Sequence, residues 1–364
     1  MSLWIEGLGT GTPRHAATQE QAAAFAEALG PENDEQRRQL HAIYRLSRIR
    51  TRRSVLQASP GAAGVTGQTF YPPRRTAEDR GPTTAERMRR YEVEAPALAV
   101  PAARAALAEA GRSPAEVTHL VTVSCTGFVA PGFDVRMMRE LDLPAATSRT
   151  HLGFMGCHGA FHALRVAKAF TDSDPGACVL VCAVELCSLH FQYGWSPDLV
   201  VANALFGDGA GAVVAGGTPG RGRSPWELAA SASALLDDSV EEMTWRIGDH
   251  GFQMTLSPRV PGLIQASLRP WLDAWLARQG LGVEGVASWA VHPGGPRILE
   301  SCAQVTGRTR EDFAASHEVL AEFGNMSSPT ILFILDRLRR RDAPRPCLAI
   351  GFGPGLSAEA ALFR

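Results

Sequence analysis

The sequence predicts a layered α/β protein with buried strands, and three observations carry that prediction. Strand-length apolar runs alternate with amphipathic helical stretches from Ala95 to the C-terminus. Apolar residues make up 45% of the 364-residue chain, which is enough for a large core in two domains or one large α/β unit. After the turn-rich segment GGTPGRGRSP (216–225) the alternation restarts with a similar order of elements, so a duplicated architecture is expected.

The elements follow in order. Residues 34–53 (DEQRRQLHAIYRLSRIRTRR) read as a basic amphipathic helix followed by an arginine cluster, and 54–90, without apolar periodicity, as a long surface loop. Then come a helix from Ala95 to Ala110, a strand at 117–125, a short helix at 134–141, a strand at 148–156 and a helix from Cys157. A strand at 177–184, a helix at 199–206 and the run GAGAVVAG at 209–216 complete this half. The second half reads as strands at 226–234 and 242–256, a helix at 260–279, a strand at 286–291, a helix after Gly294, helices at 311–322 and 327–341, and a final strand at 346–351.

A net charge of −1 argues against a nucleic-acid or membrane-surface partner. No apolar run approaches the roughly 18 residues of a membrane span, and MSLWIEGLGTGTPRH lacks the features of a signal peptide. The seven cysteines, odd in number and scattered, read as reduced buried thiols. A cytoplasmic enzyme is expected.

Three residues carry candidate chemistry. Cys157, in GFMGCHGAFHALRVAKAF, stands where a strand gives way to a helix, so unpaired amides and the helix dipole favour its thiolate. His292, in WAVHPGGPRIL, ends an apolar strand, where ligand-facing residues of open α/β sheets gather. Asn325, in EFGNMSSPTILFILDRL, lies between a glycine and a helix start. Singly they also read as a core thiol, a satisfied core histidine and a helix cap. Together they suggest a nucleophile, a base and a polarising amide.

GFMGCHGA, LFGDGAGAVV (205–214), VHPGGPRIL, EFGNMSSPTILFILD and GFGPGLSAE (351–359) resemble, in order and separation, signatures of the type III polyketide synthases, the chalcone and stilbene synthase family. The resemblance runs from Cys125 to the C-terminus and points to a bacterial-type member. It implies the thiolase fold, a five-layered αβαβα arrangement of two related halves, with the nucleophile in 1–217 and the histidine and asparagine in 218–364. It also implies a homodimer that uses an acyl-CoA starter and malonyl-CoA, with no metal and no cofactor. Cys157 would carry the growing chain as a thioester, while His292 and Asn325 promote decarboxylation by donating hydrogen bonds to the enolate oxygen. An imidazolium at His292 would further stabilise the Cys157 thiolate.

Further positions come with the resemblance. Phe206 matches one of two phenylalanines that gate the passage between CoA tunnel and cavity, and Met254 stands at the second, a more pliable residue. Cys125, Thr126, His190, Trp245 and Ser327 fall on the cavity wall; His190 and Trp245 are bulkier than is common, and Ala130 replaces a methionine that reaches into the partner's cavity. The plant product is therefore not inherited. The cluster Arg45, Arg48, Arg50, Arg52 and Arg53 lies in the CoA-phosphate segment, and Arg297 near the CoA entrance; a solvated helix face is the alternative for the cluster. Two other functions compete: a 3-ketoacyl-ACP synthase III-like enzyme, disfavoured by GFGPGLS and GNMSSPT, and a noncatalytic acyl-CoA-binding protein, disfavoured by the complete Cys-His-Asn set.

Overall fold

The computed structural model describes residues 2–57, 67–220, 225–236 and 238–364. Its strands are β1 (Leu3–Gly11), β2 (Ala16–Thr18), β3 (Thr51–Arg53), β4 (His119–Ser124), β5 (Ser148–Gly153), β6 (Cys178–Leu186), β7 (Asp208–Gly216), β8 (Trp226–Leu235), β9 (Met243–Gly248), β10 (Gly251–Leu256), β11 (Ser288–Val291), β12 (Cys347–Gly353) and β13 (Ser357–Phe363). Its helices are α1 (Gln19–Glu27), α2 (Asp34–Leu46), α3 (Thr84–Ala110), α4 (Phe133–Glu140), α5 (Gly159–Ser173), α6 (Pro197–Leu205), α7 (Val260–Ala277), α8 (Pro296–Thr306), α9 (Ala314–Phe323) and α10 (Thr330–Arg340).

Nine strands form one mixed sheet in the order β11-β12-β13-β8-β1-β7-β6-β4-β5. The antiparallel pair β1–β8 joins its two halves through Leu3, Trp4 and Ile5 against Leu228, Glu227 and Trp226. Outward from β1 the pairings run antiparallel to β7, antiparallel to β6 and parallel to β4. Outward from β8 they run antiparallel to β13, antiparallel to β12 and parallel to β11. The halves thus repeat one pairing scheme, and β5 is an extra edge strand on the first.

Side-chain alternation turns this sheet into layers, because successive strand residues face opposite sides. In β6, Val179, Val181 and Ala183 pack toward α5 and α10, whereas Leu180, Cys182 and Val184 pack toward α3. In β12, Cys347 and Ala349 face the same central helices, and Leu348 and Ile350 face α7 and α8. The result is five layers: α3, sheet, α5 with α10, sheet, α7 with α8. The all-apolar reading of 177–184 comes from this burial on both faces.

The structure corrects several expected elements. The expected loop 54–90 ends early: α3 begins at Thr84 behind a Thr83/Glu86 capping box and runs through Pro96 and Pro101. The helix expected ahead of the arginine cluster is α2, which ends at Leu46, and Arg48 takes a φ of 58° before the chain enters β3. The strand expected over 242–256 is a hairpin, β9–β10. Four elements had no counterpart in the sequence reading: β1, β2, α1 and β13. In β1, Gly7 and Gly9 admit the α3 backbone so closely that a Cβ would lie 2.2 Å from the Ala106 oxygen and 2.1 Å from that of Ala102. All seven cysteines are buried free thiols.

Candidate active site

The two central helices begin side by side, each after an irregular turn. β5 ends at Gly153, and positive φ angles at Phe154 (58°) and Gly156 (68°) swing the chain into a single 3-10 turn, Gly156–His158, that leads into α5. A Cβ on Gly156 would meet Pro354 Cδ at 2.4 Å, so only glycine lets the turn seat against the loop after β12. Before α10, Gly324 has φ 72° and Ser327 φ 57°. Cys157 and Asn325 each follow a positive-φ glycine, and they face one another: Asn325 Nδ2 lies 3.9 Å from Cys157 Sγ.

Hydrogen bonding fixes that orientation. Asn325 Oδ1 accepts from Ser327 N at 2.8 Å, which leaves the amide N–H groups to point at sulfur. Its backbone is clamped too, with Asn325 N donating to Leu205 O at 2.9 Å and Gly207 N donating to Asn325 O at 3.0 Å. The N-cap of α10 is Pro329, so Asn325 does not cap that helix.

His292 follows β11, its N–H donating to Ile350 O of β12 at 2.8 Å, and the 3-10 turn carrying Cys157 packs on that same strand. The imidazole is 1% exposed, and neither ring nitrogen has a hydrogen-bond partner. Burial holds it down to about 3, hence neutral, and pushes the Cys157 thiol up to about 11 against the hydrogen bonding of Ser327 and Asn325. Desolvation thus favours the neutral thiol and the neutral imidazole and works against the expected thiolate–imidazolium pair. A neutral ring with two open nitrogens can accept a proton at one and donate from the other.

A cavity of about 20 Å³ adjoins Cys157 and is lined by Cys125, Thr126, Phe206, Trp245, Met254 and Ser327, together with Cys187 and Met243. His292 is not on its wall. Cys187, Phe206, Trp245 and Met254 also line a larger cavity of about 810 Å³, which His190 borders. Trp245 pairs with Met254 across the β9–β10 hairpin, donates from Nε1 to Cys125 O at 2.7 Å, and meets the rings of His190 and Phe252 edge-on at 5.5 and 5.8 Å. His190 is fully engaged, its two ring nitrogens 2.7 Å from Thr126 O and 3.0 Å from Phe252 N. Ala130 is exposed between β4 and α4 and borders neither cavity.

Two residues of the site were missed in the sequence. Cys187, two positions beyond Glu185, faces both cavities. Glu185 is fully buried and ties the wall together, accepting from Thr126 Oγ1 at 2.7 Å, Cys125 N at 2.9 Å and Ser328 Oγ at 2.6 Å. The signal was a lone acid at the end of an apolar strand.

The arginines separate by role. Arg45 and Arg297 are exposed, and Arg48 pairs with Glu300 of α8 at 2.8 Å, which brings the end of α2 beside the first turns of α8. Arg50 faces Glu322 at 3.6 Å. Arg52 instead donates to Asn203 O and Phe206 O, and Arg53 to Pro13 O and Arg14 O, both bordering the larger cavity. The cluster is therefore divided: the chain turns inward after Arg50, and Arg52 and Arg53 brace backbone beside the larger cavity.

Two related halves that meet over a buried thiol, with an amide aimed at its sulfur, define a condensing acyltransferase of the thiolase-type fold. Its family follows from comparison with known proteins. The profile "Chalcone and stilbene synthases, N-terminal domain" matches residues 3–219, and the C-terminal profile of the same family matches 227–364. The chain belongs to this family, the type III polyketide synthases, whose members use acyl-CoA and malonyl-CoA. It is 34% identical to the Mycobacterium tuberculosis protein described as alpha-pyrone synthesis polyketide synthase-like Pks18, over 99% of this chain and 90% of that one. PKS-I of the brown alga Ectocarpus siliculosus superposes with a TM-score of 0.91 at 31% identity, covering 100% of this chain and 98% of that one. The C-terminal type III polyketide synthase domain of Steely1 from Dictyostelium shares the fold, with a TM-score of 0.89 at 22% identity and coverage of 100% and 99%. No helix among the described residues is long and apolar enough to cross a membrane.

Proposed function

We propose that Cys157 accepts an acyl group from a CoA starter and that His292 and Asn325 promote its extension by malonyl-CoA. The observation that carries this reading is the Asn325 amide, locked by Ser327 N and aimed at the Cys157 sulfur from 3.9 Å. A thioester on Cys157 places its carbonyl among these donors. Loss of carbon dioxide from malonyl-CoA leaves an enolate whose oxygen the Asn325 and His292 N–H groups stabilise, and its carbon attacks the thioester. The thiol, imidazole and amide supply this chemistry without a resident metal or cofactor, so prolonged chelation leaves the rate unchanged. CoA phosphates lie against Arg45, Arg48 and Arg297, where α2 meets α8.

The enzyme acts in the cytoplasm as a homodimer. Support for the dimer is an apolar patch beside edge strand β5, where Phe128 and Met155 are 46% and 38% exposed and the Phe128 ring packs on Phe154 at 4.8 Å. Incubation with acyl-CoA, followed by peptide mass spectrometry, tests the assignment: a stoichiometric thioester on Cys157 is expected. Stable acylation of Cys125 or another thiol, with Cys157 unmodified, overturns it.

A further inference from the structure

With Cys157 as the acyl carrier proposed above, a long starter has no room beside its own sulfur, where the cavity measures about 20 Å³. The neighbouring cavity measures about 810 Å³. Cys187, Phe206, Trp245 and Met254 line both, so the two stand back to back across these four side chains. Arg45, Arg48 and Arg297, which the proposed function gives to the CoA phosphates, do not line the larger one. Its chemistry therefore bears on the acyl end of the substrate.

That chemistry has two sides. One wall is apolar: the rings of Phe25 and Tyr71 pack against Phe191 at 5.0 and 5.6 Å, a surface suited to methylene groups. The other is cationic. Arg14, Arg52, Arg53 and Arg80 all border the cavity, and Asp198 is the one acid among the described residues that do. Arg52 donates to the carbonyls of Asn203 and Phe206, Arg53 to those of Pro13 and Arg14, and Arg80 to those of Ala77 and Asp79. Among the described residues none of the four has an ion pair, and the Arg14 side chain has no hydrogen bond either.

Elsewhere arginines meet carboxylates, as Arg112 does with Glu6 and Arg337 with Glu318 and Glu322. A fifth guanidinium stands behind the apolar wall. Arg87 is 0% exposed and donates to Tyr71 Oη at 3.1 Å and to the Leu189 and Phe191 carbonyls at 2.7 and 2.8 Å, while its Nη2 has no partner. The nearby Asp208 does not answer this charge, because its oxygens already accept from Val55 N, Ser188 N and Ser188 Oγ. Carbonyl oxygens satisfy hydrogen bonds but cancel no charge. Like charges around one space repel, and an anion within it relieves that repulsion while taking guanidinium hydrogen bonds.

We propose that the larger cavity receives the starter's acyl chain and that its arginines bind an anionic group at the far end. The enzyme selects acyl-CoA starters that end in a carboxylate.

The test uses pairs of starters of equal length that end in methyl or carboxylate: hexanoyl- with adipyl-CoA, octanoyl- with suberyl-CoA, decanoyl- with sebacyl-CoA. Acylation of Cys157 is followed by mass spectrometry to give kcat/KM for loading. At one length or more, wild type should favour the carboxylate on the order of 10-fold or better. The ratio should fall severalfold in the Arg14→Gln, Arg80→Gln double variant and narrow as salt rises. Both arginines are exposed, so the fold should tolerate the change; a single variant decides the matter if the Tm of the double one drops. Preference for the methyl end at every length overturns the inference. So does a ratio that the variants leave unchanged, which would make the arginines a solvated rim. A wild type that loads none of these starters but is acylated by others overturns the inference alone. Absence of acylation by every acyl-CoA would instead overturn the function on which it rests.

Discussion

Replacing Trp245 with alanine should change what the enzyme makes more than whether it folds. The cavity beside Cys157, about 20 Å³, holds little more than one water, so the indole decides how much chain fits there. Removing it frees on the order of 100 Å³, about three waters' share of liquid volume. At roughly 24 cal/mol per Å³ the new cavity costs at most about 2.4 kcal/mol. The orphaned Cys125 carbonyl adds about 1 kcal/mol when no water reaches it. The lost transfer free energy of the indole adds to these, but Trp245 is only partly buried and already borders the larger cavity, so water enters and the net cost stays below the roughly 3–5 kcal/mol of a fully buried tryptophan. Product profiling with a panel of acyl-CoA starters should show bulkier starters or additional extensions, with Cys157 acylated as before. Trp245→Phe, which keeps most of the bulk and loses the donor, should stay near the wild-type profile. A drop of more than about 10 °C in Tm with an unchanged product spectrum would refute the reasoning and make Trp245 a core residue.

Three further outcomes are expected. Asn325→Ala should accept a starter on Cys157 yet lose on the order of 10²–10³ in malonyl-CoA decarboxylation; near-normal carbon dioxide release from the folded variant would leave the amide a purely structural role. Arg45→Gln combined with Arg297→Gln should raise KM for CoA substrates severalfold with kcat unchanged and weaken its salt dependence, whereas Arg52→Gln, which abandons two carbonyls, should lower Tm instead. Stability should fall on acidification below about pH 6.5: His158, His190 and His292 are each held to about 3 by burial, so the unfolded chain takes up their protons first and the stability they confer at higher pH is lost. Burial raises Asp208 to about 6 and raises Glu185 as well, which opposes part of that loss, so the fall is shallower than three histidines alone would give. Urea titrations across that range check it, and a stability that is flat or rises on acidification contradicts it.

Where local pattern and tertiary packing agree, the sequence already showed the element. The apolar run of β6 and the glycine-flanked positions of Cys157, His292 and Asn325 are of this kind. β1 was hidden because Glu6 and three glycines break its apolar pattern, and those glycines matter only once α3 lies across them. The start of α3 was hidden because its first turns, TAERMRRYEVE, carry few apolar residues, whereas Pro96 and Pro101, inside the expected helix, are accommodated in a 27-residue helix with an alanine-rich buried face. β13 reads as polar because Ser357 and Glu359 interrupt it, and Glu359 is satisfied only by Arg165 and Ser233 from distant elements. The arginine cluster misled for a related reason: a guanidinium that braces carbonyls and one that meets solvent look alike in a sequence. The neutrality of His292 and the thiol form of Cys157 were likewise out of reach, since both depend on a burial that only the folded chain creates.

Gly156–Cys157 and Gly324–Asn325 occupy corresponding places in the repeated pairing scheme, each a positive-φ glycine followed by a residue in the turn that leads into a central helix. A duplication starts with two such junctions carrying the same residue. Here they carry a thiol and an amide that meet across 3.9 Å, so one structural motif, used twice, furnishes both sides of a single reaction centre. The two junctions no longer drift independently: a side chain tolerated at one must still fit the other. The steepest barrier to change should therefore lie at the two glycines, whose backbone conformation no other residue adopts without strain. The part of the cavity wall outside the repeat, Trp245 and Met254 on the β9–β10 hairpin, is free to be rewritten. New products would then arise by altering the hairpin while the paired junctions stay fixed.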